Sequence, residues 1–184
     1  NTGSTISYTV SVADSTSIVI TSGQTASVAE SASAGTTVMT VAITEATPSN
    51  VVISAGNSDG IFAVSSAGVI TVSSTTNLDY ETDASYTLTL VAYDSSSSDV
   101  EDVTITITDA NDAPSAGADQ TGTVTEDAST TTATGTVAGT DADSGASLTY
   151  TIGTAAGTYG SLAMSGAGWT YTLDNSDADT TALD

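Results

Sequence analysis

Tyr86-Thr87-Leu88-Thr89-Leu90-Val91-Ala92-Tyr93 alternates large apolar residues with threonine at a period of two. In an extended chain, successive side chains point to opposite faces, so Tyr86, Leu88, Leu90 and Ala92 share one face and Thr87 and Thr89 the other. A sheet with one face in the core and one in water produces this pattern, and the stretch is read as a half-buried antiparallel strand.

The same alternation recurs along the chain, and helical periodicity is almost absent. Strands are predicted over residues 6–13, 17–21, 24–28, 36–43, 51–54, 61–64, 69–72, 86–93 and 100–108, then over 122–125, 133–139, 148–152, 161–164 and 169–173. Gly, Ser, Asn and Asp clusters separate them, as in Gly56-Asn57-Ser58-Asp59-Gly60. Short strands at this spacing without intervening helices predict an all-β fold of sandwich type.

The chain has 184 residues and a net charge of −22, from 22 Asp and Glu with no Lys, Arg or His. Nucleic acid and anionic membrane surfaces are poor partners for such a surface. Lacking His and Cys, the chain has no imidazole base, no Ser-His or Cys-His nucleophile, and no ordinary zinc, haem or iron–sulfur site. It has no disulfide either, and no run of 18 apolar residues. With 39% hydrophobic residues it has material for packed cores. The missing initiator Met points to a piece of a larger or processed chain.

Between the strand at 100–108 and the next Thr/Gly/Val-rich run stands Asp109-Ala110-Asn111-Asp112-Ala113-Pro114. Proline ends the strand, and three oxygen-bearing side chains fall within four residues. Crowded carboxylates repel unless a cation neutralises them, and hard oxygen ligands of mixed type suit Ca²⁺. The stretch is therefore read as a calcium-loaded hinge between two β-domains; a solvated acidic turn is the plainer reading.

From about Gln24 to Pro114 the chain resembles a bacterial cadherin-like domain. The resemblance rests on Val28-Ala29-Glu30, Gly60-Ile61-Phe62-Ala63-Val64, Leu78-Asp79-Tyr80-Glu81, Ala92-Tyr93-Asp94 and the 109–114 stretch, all in order. It implies that Glu30, Asp79, Glu81, Asp109, Asn111 and Asp112 ligate calcium, joined by Asp141 and Asp143 of Thr140-Asp141-Ala142-Asp143 in the next domain. The backbone carbonyls of Ala110 and Ala113 would add to them. At the domain's other end, Thr44-Glu45-Ala46-Thr47 lacks the second acid of the pair, so a site there, toward which Asp94 would point, should be weaker or absent.

After Pro114 the chain resembles a VCBS-type repeat of giant RTX-type bacterial surface adhesins. The matching pieces are Val124-Thr125-Glu126-Asp127, Gly157-Thr158-Tyr159-Gly160-Ser161-Leu162 and Gly168-Trp169-Thr170-Tyr171-Thr172-Leu173-Asp174-Asn175. This match stops at Asp184, where the family still has two strands to come, and residues 1–22 look like those strands. The implied organisation is 1–22, terminal strands completing a VCBS-like domain of the same or a neighbouring copy; 23–112, a cadherin-like domain; and 113–184, a VCBS-like domain. Both are expected to be Ig-like or cadherin-like Greek-key sandwiches. Asp14 would then approach Asp141 and Asp143 of a neighbour.

The expected function is a non-enzymatic, calcium-rigidified structural or adhesive repeat on a bacterial cell surface, in contact end to end with copies or modules of the same protein. A glycan- or ligand-binding adhesin module and a carboxylate-dependent hydrolase are the alternatives. Asp143-Ser144-Gly145 imitates an aspartic protease signature without a second copy for the dyad. Trp169 and Tyr171, alternating in a strand, are read as core in preference to a sugar platform.

Overall fold

The computed structural model describes residues 17–127, 129, 131–176 and 178–181. The chain divides into two compact units, Asn1–Ala110 and Asn111–Asp184. In chain order the strands of the first unit are β1 (Val19–Ile20), β2 (Thr25–Ala29), β3 (Thr37–Thr40), β4 (Ile43–Thr44), β5 (Asn50–Ala55), β6 (Phe62–Val64), β7 (Val69–Val72), β8 (Ser85–Tyr93) and β9 (Ser98–Thr108). The second unit has β10 (Ser115–Ala116), β11 (Thr132–Thr136), β12 (Gly139–Thr140), β13 (Ala156–Gly157), β14 (Gly160–Ser165), β15 (Gly168–Leu173) and one helical turn, α1 (Ala178–Thr181). The all-β expectation is met.

In the first unit a four-stranded sheet, β2-β9-β8-β5, and a three-stranded sheet, β3-β7-β6, enclose the core, with a short β1-β4 pair beside them. β8 and β9 pair antiparallel over nine residues, with Leu88 opposite Val103 and Tyr86 opposite Ile105. β2 adds to the other side of β9 in parallel. The inward face is the one the alternation predicts. Leu88, Leu90, Ala92, Val103 and Ile105 are fully buried, while Thr87 and Thr106 are exposed. Phe62, Ile70 and Val72 pack against them from the smaller sheet. Phe62 also meets Tyr86 edge to face, with ring centroids 5.5 Å apart. The Tyr86 phenol is raised above its ordinary pKa by burial, then by the nearby carboxylates Asp83, Asp59 and Asp79.

Most strand ends move by a residue or two from their predicted positions, and three larger differences stand out. The predicted strands at 36–43 and 133–139 break, into β3 and β4 and into β11 and β12. Residues 122–125 and 148–152, both predicted strands, are irregular, because their alternation finds no neighbouring strand with which to form a ladder. The predicted strand at 6–13 lies outside the described residues. Ser17–Ser22, grouped by sequence with the terminal strands of a VCBS-like domain, belong in position to the first unit. Ile18 and Ile20 are buried in its core, and β1 pairs with β4. Ile20 N–H donates to Asp99 Oδ2 (2.7 Å) and Ile18 N–H to Ser97 Oγ (3.0 Å). Two large aliphatic side chains are thereby removed from water, a gain that the sequence alone assigned elsewhere.

Leu88→Ala should lower unfolding stability by about 2–5 kcal/mol, since it opens a cavity in the β8–β9 layer, whereas Thr87→Ala should change it by less than about 0.5 kcal/mol. Urea unfolding followed by circular dichroism separates the two.

Candidate metal centre

Glu30 follows β2 where that strand ends beside Thr108 of β9, and its backbone N–H bonds to the Thr108 carbonyl (3.2 Å). The side chain joins two further segments. Oε2 accepts from Tyr80 N–H and Oε1 from Ala110 N–H, both at 2.6 Å. Charge-assisted bonds to backbone amides are among the stronger hydrogen bonds, so one carboxylate holds the 78–81 loop and the start of the linker to the end of the sheet. Carboxylate oxygens of Glu30, Glu81 and Asp109 consequently lie within 4.8 Å of one another. Like charges at about 4 Å cost ~1 kcal/mol per pair in water and ~4 kcal/mol at the lower dielectric of a protein surface. A cation with oxygen preference reverses the sign of that term.

Asp79 has a different local task. Its Oδ1 accepts from Glu81 N–H (3.0 Å) and Thr82 N–H (3.3 Å), and its Oδ2 from Thr82 Oγ1 (2.9 Å). It caps the turn that presents Glu81. That positioning function was not read from the sequence, although an Asp two residues before a ligand-type acid is a usable sign of such a turn.

Within the second unit, Asp143 Oδ2 accepts from Asp112 N–H (2.9 Å) and Asp141 Oδ1 from Asp143 N–H (3.1 Å). Asn111 Nδ2 donates to the Asp112 carbonyl (2.6 Å). The pairing of Ser115 with Thr140 in the β10–β12 ladder brings the 111–114 and 141–143 segments together. Gly145, at φ 82°, turns the chain away after them. The expected acids thus gather in two groups, Glu30, Glu81 and Asp109 in one unit and Asp112, Asp141 and Asp143 in the other. Ala110 contributes its N–H to Glu30, and Ala113 is exposed beside Asp112. Asp14 lies outside the described residues.

Asp94 sits in the β8–β9 turn, at the end of β9 opposite Asp109. Its Oδ1 accepts from Ser96 N–H, Ser97 N–H and Ser96 Oγ, and its Oδ2 from Ser97 Oγ. The Ser96 amide, followed by the Ser97 hydroxyl, holds this carboxyl well below its ordinary value of 3.8, at about 2. Ser97 Oγ in turn receives Ile18 N–H, so the turn also anchors the start of the described chain.

Among the described residues no helix is long and apolar enough to cross a membrane. Residues 24–108 match the family model of the cadherin domain. No curated protein sequence matches the chain. Among solved structures, mouse cadherin-23 EC22-24 is similar at 26% identity and a TM-score of 0.55, over 85% of this chain and 53% of that one. Protocadherin gamma B2 extracellular cadherin domains 3-6 are similar at 21% identity and a TM-score of 0.53, over 82% of this chain and 36% of that one. The human desmocollin-1 ectodomain is similar at 19% identity and a TM-score of 0.52, over 85% of this chain and 33% of that one. The chain therefore spans between a third and a little over half the length of these relatives.

Because the Asp94 pKa is depressed on folding, its ionised form favours the folded state above pH 3.8, and the contribution fades as pH falls from 3.8 toward about 2. Thermal melts of the wild type and Asp94→Ala should differ at pH 6 and converge toward pH 2, which a pH series of melting curves would check.

Proposed function

We propose that the chain is a calcium-rigidified structural and adhesive repeat of a large extracellular surface protein of bacterial type, a cadherin-like domain followed by a VCBS-type repeat. The observation that carries the reading is the convergence of Glu30, Glu81 and Asp109 within 4.8 Å at the end of the β2–β9 pair, in a chain without a side-chain cation to offset them. The ligands would be those three with Asp79, Asn111, Asp112, Asp141, Asp143 and the carbonyls of Ala110 and Ala113. All are oxygen donors, mostly anionic, as a hard divalent ion requires. Asp94, at the other end of the unit, would belong to a separate, weaker site there, and like Asp79 it also closes its own turn.

On this reading the mechanism is mechanical. The segment from Asp109 to Asp112 carries an acid of each group three residues apart, so an ion bound there would restrict rotation about the linker. Removing the ion restores mutual repulsion and frees the joint. The match of residues 24–108 to the cadherin domain, and the likeness to arrays of extracellular cadherin domains, support an extended, repeated architecture whose partners are other copies or modules. Affinity should fall in the range of extracellular modules, with dissociation constants of roughly 10⁻⁴ to 10⁻³ M.

Calorimetric titration with calcium tests this. The wild type should give a binding isotherm and a melting temperature that rises with calcium, because an ion that binds only the folded state stabilises it by about 2.7 kcal/mol at a hundred times its dissociation constant. In the double variant Asp109→Ala/Asp112→Ala both responses should be lost or sharply weakened. Equal isotherms for the two proteins would overturn the proposal.

A further inference from the structure

In the first unit, the segment from Ile18 to Glu30 runs beside β9 and in the same direction. β2 pairs with β9 in parallel from Thr25 with Thr104 to Ala29 with Thr108, at the constant offset of 79 residues that also separates Ile18 from Ser97. The same offset holds before the ladder begins, where Ile18 N–H donates to Ser97 Oγ and Ile20 N–H to Asp99 Oδ2. Two side chains of β9 there stand in for main-chain carbonyls. After the ladder ends, Glu30 N–H donates to the Thr108 carbonyl and Ala110 N–H to Glu30 Oε1.

Gln24 bridges the break between β1 and β2, where the chain turns at Gly23 (φ 69°). Its carbonyl accepts from Thr104 N–H (3.1 Å). Its side-chain amide holds the segment between β3 and β4, with Oε1 accepting from Ala42 N–H (2.6 Å) and Nε2 donating to the Ala42 carbonyl (3.3 Å). Ile18, Ile20 and Val28 are buried in the core, so a slip of this segment by one residue would turn all three to the wrong face.

The parallel direction decides how this pairing meets tension. Ser17 lies at the end of the pair marked by Ser97, and Ala110 at the end marked by Thr108. A pull that enters the unit at Ser17 and leaves at Ala110 therefore acts along the strands, and the cross-links break only if the two segments slide past each other. A pull on two points at the same end would open them one after another. Forced unfolding follows the unfolding rate, and a barrier that requires the concerted loss of these bonds keeps that rate low.

We propose that residues 18–30 and 97–110 form a clamp that carries tension through the first unit, with Ser97 and Asp99 as load-bearing acceptors that extend it beyond the β2–β9 ladder. The clamp is the resisting element of the structural repeat proposed above, and rests on that reading for its use. None of its bonds involves an ion, so its strength does not depend on calcium.

The chain has no cysteine, so paired substitutions give defined attachment points for single-molecule pulling of the full-length chain. Ser17→Cys/Thr108→Cys loads the clamp along the strands, and Ser17→Cys/Ser95→Cys pulls on one end of it; all three residues are exposed. Under the same constant force, the first should unfold at least about tenfold more slowly than the second. Equal rates would refute the clamp. With force applied between positions 17 and 108, Asp99→Ala should speed unfolding about tenfold, the effect of one lost bond to a charged group. Asp99→Asn, which keeps an acceptor oxygen, should restore most of the resistance. Leu88→Ala should cost more stability in urea than Asp99→Ala, yet speed unfolding under tension less. The opposite ranking under tension would make Asp99 an ordinary structural contact and overturn its load-bearing role. Both geometries are run with calcium and with chelator. The difference between them should persist in chelator, and its loss there would assign the resistance to a bound ion and overturn the clamp. A difference that persists in a chain found to bind no calcium would support the clamp and count against the calcium reading alone.

Discussion

No carboxylate in this chain can be neutralised by a lysine, arginine or histidine, because the sequence contains none. Every acid must remain in water, find N–H and O–H donors, or share a cation. Much of the local architecture follows from the second option. Glu30 takes two backbone amides from distant segments, Asp99 takes Ile20 N–H, Asp102 takes the Thr89 hydroxyl, and Asp94, Asp79 and Asp174 close turns through Ser and Thr. The abundance of Ser and Thr has a structural use here, since their hydroxyls are donors placed where other proteins would place basic side chains.

The acids are not distributed evenly with respect to these donors. Asp94 is surrounded by donors from its own turn. At the other end of β9, Glu30, Glu81 and Asp109 come together, and the amides that bind Glu30 hold that crowding in place. One end of the first unit thus carries an acid enclosed by donors of its own turn, and the other brings three acids together. The difference arises from which loops carry neighbouring Ser residues and which carry further acids.

The two units also differ in how far they finish a core. In the first, two sheets and the β1 strand bury Leu88, Leu90, Ile70, Ile18 and Ile20 almost completely. In the second, an equally regular alternation in β14 and β15 ends with most apolar side chains only half covered. The failed strand expectations at 122–125 and 148–152 belong to the same unit. Alternation describes what a segment would bury if a partner layer were present. It carries no information on whether that layer exists.

Sequence by itself determined the class and the inward face, because a period of two leaves only one way to sort Tyr86, Leu88, Leu90 and Ala92 from the threonines. It also placed Glu30, Glu81 and Asp109 on strand ends and loops, through an ordered set of short motifs. Only the tertiary structure decided that these three meet while Asp79 caps a turn, since that depends on Tyr80 and Ala110 amides separated from Glu30 by 50 and 80 residues. It decided, too, that Ile18 and Ile20 belong to the first unit. Their alternating pattern suits either sandwich, and the choice was made by an inward-facing Asp99 that offers Ile20 a hydrogen bond and by a core with room for both side chains.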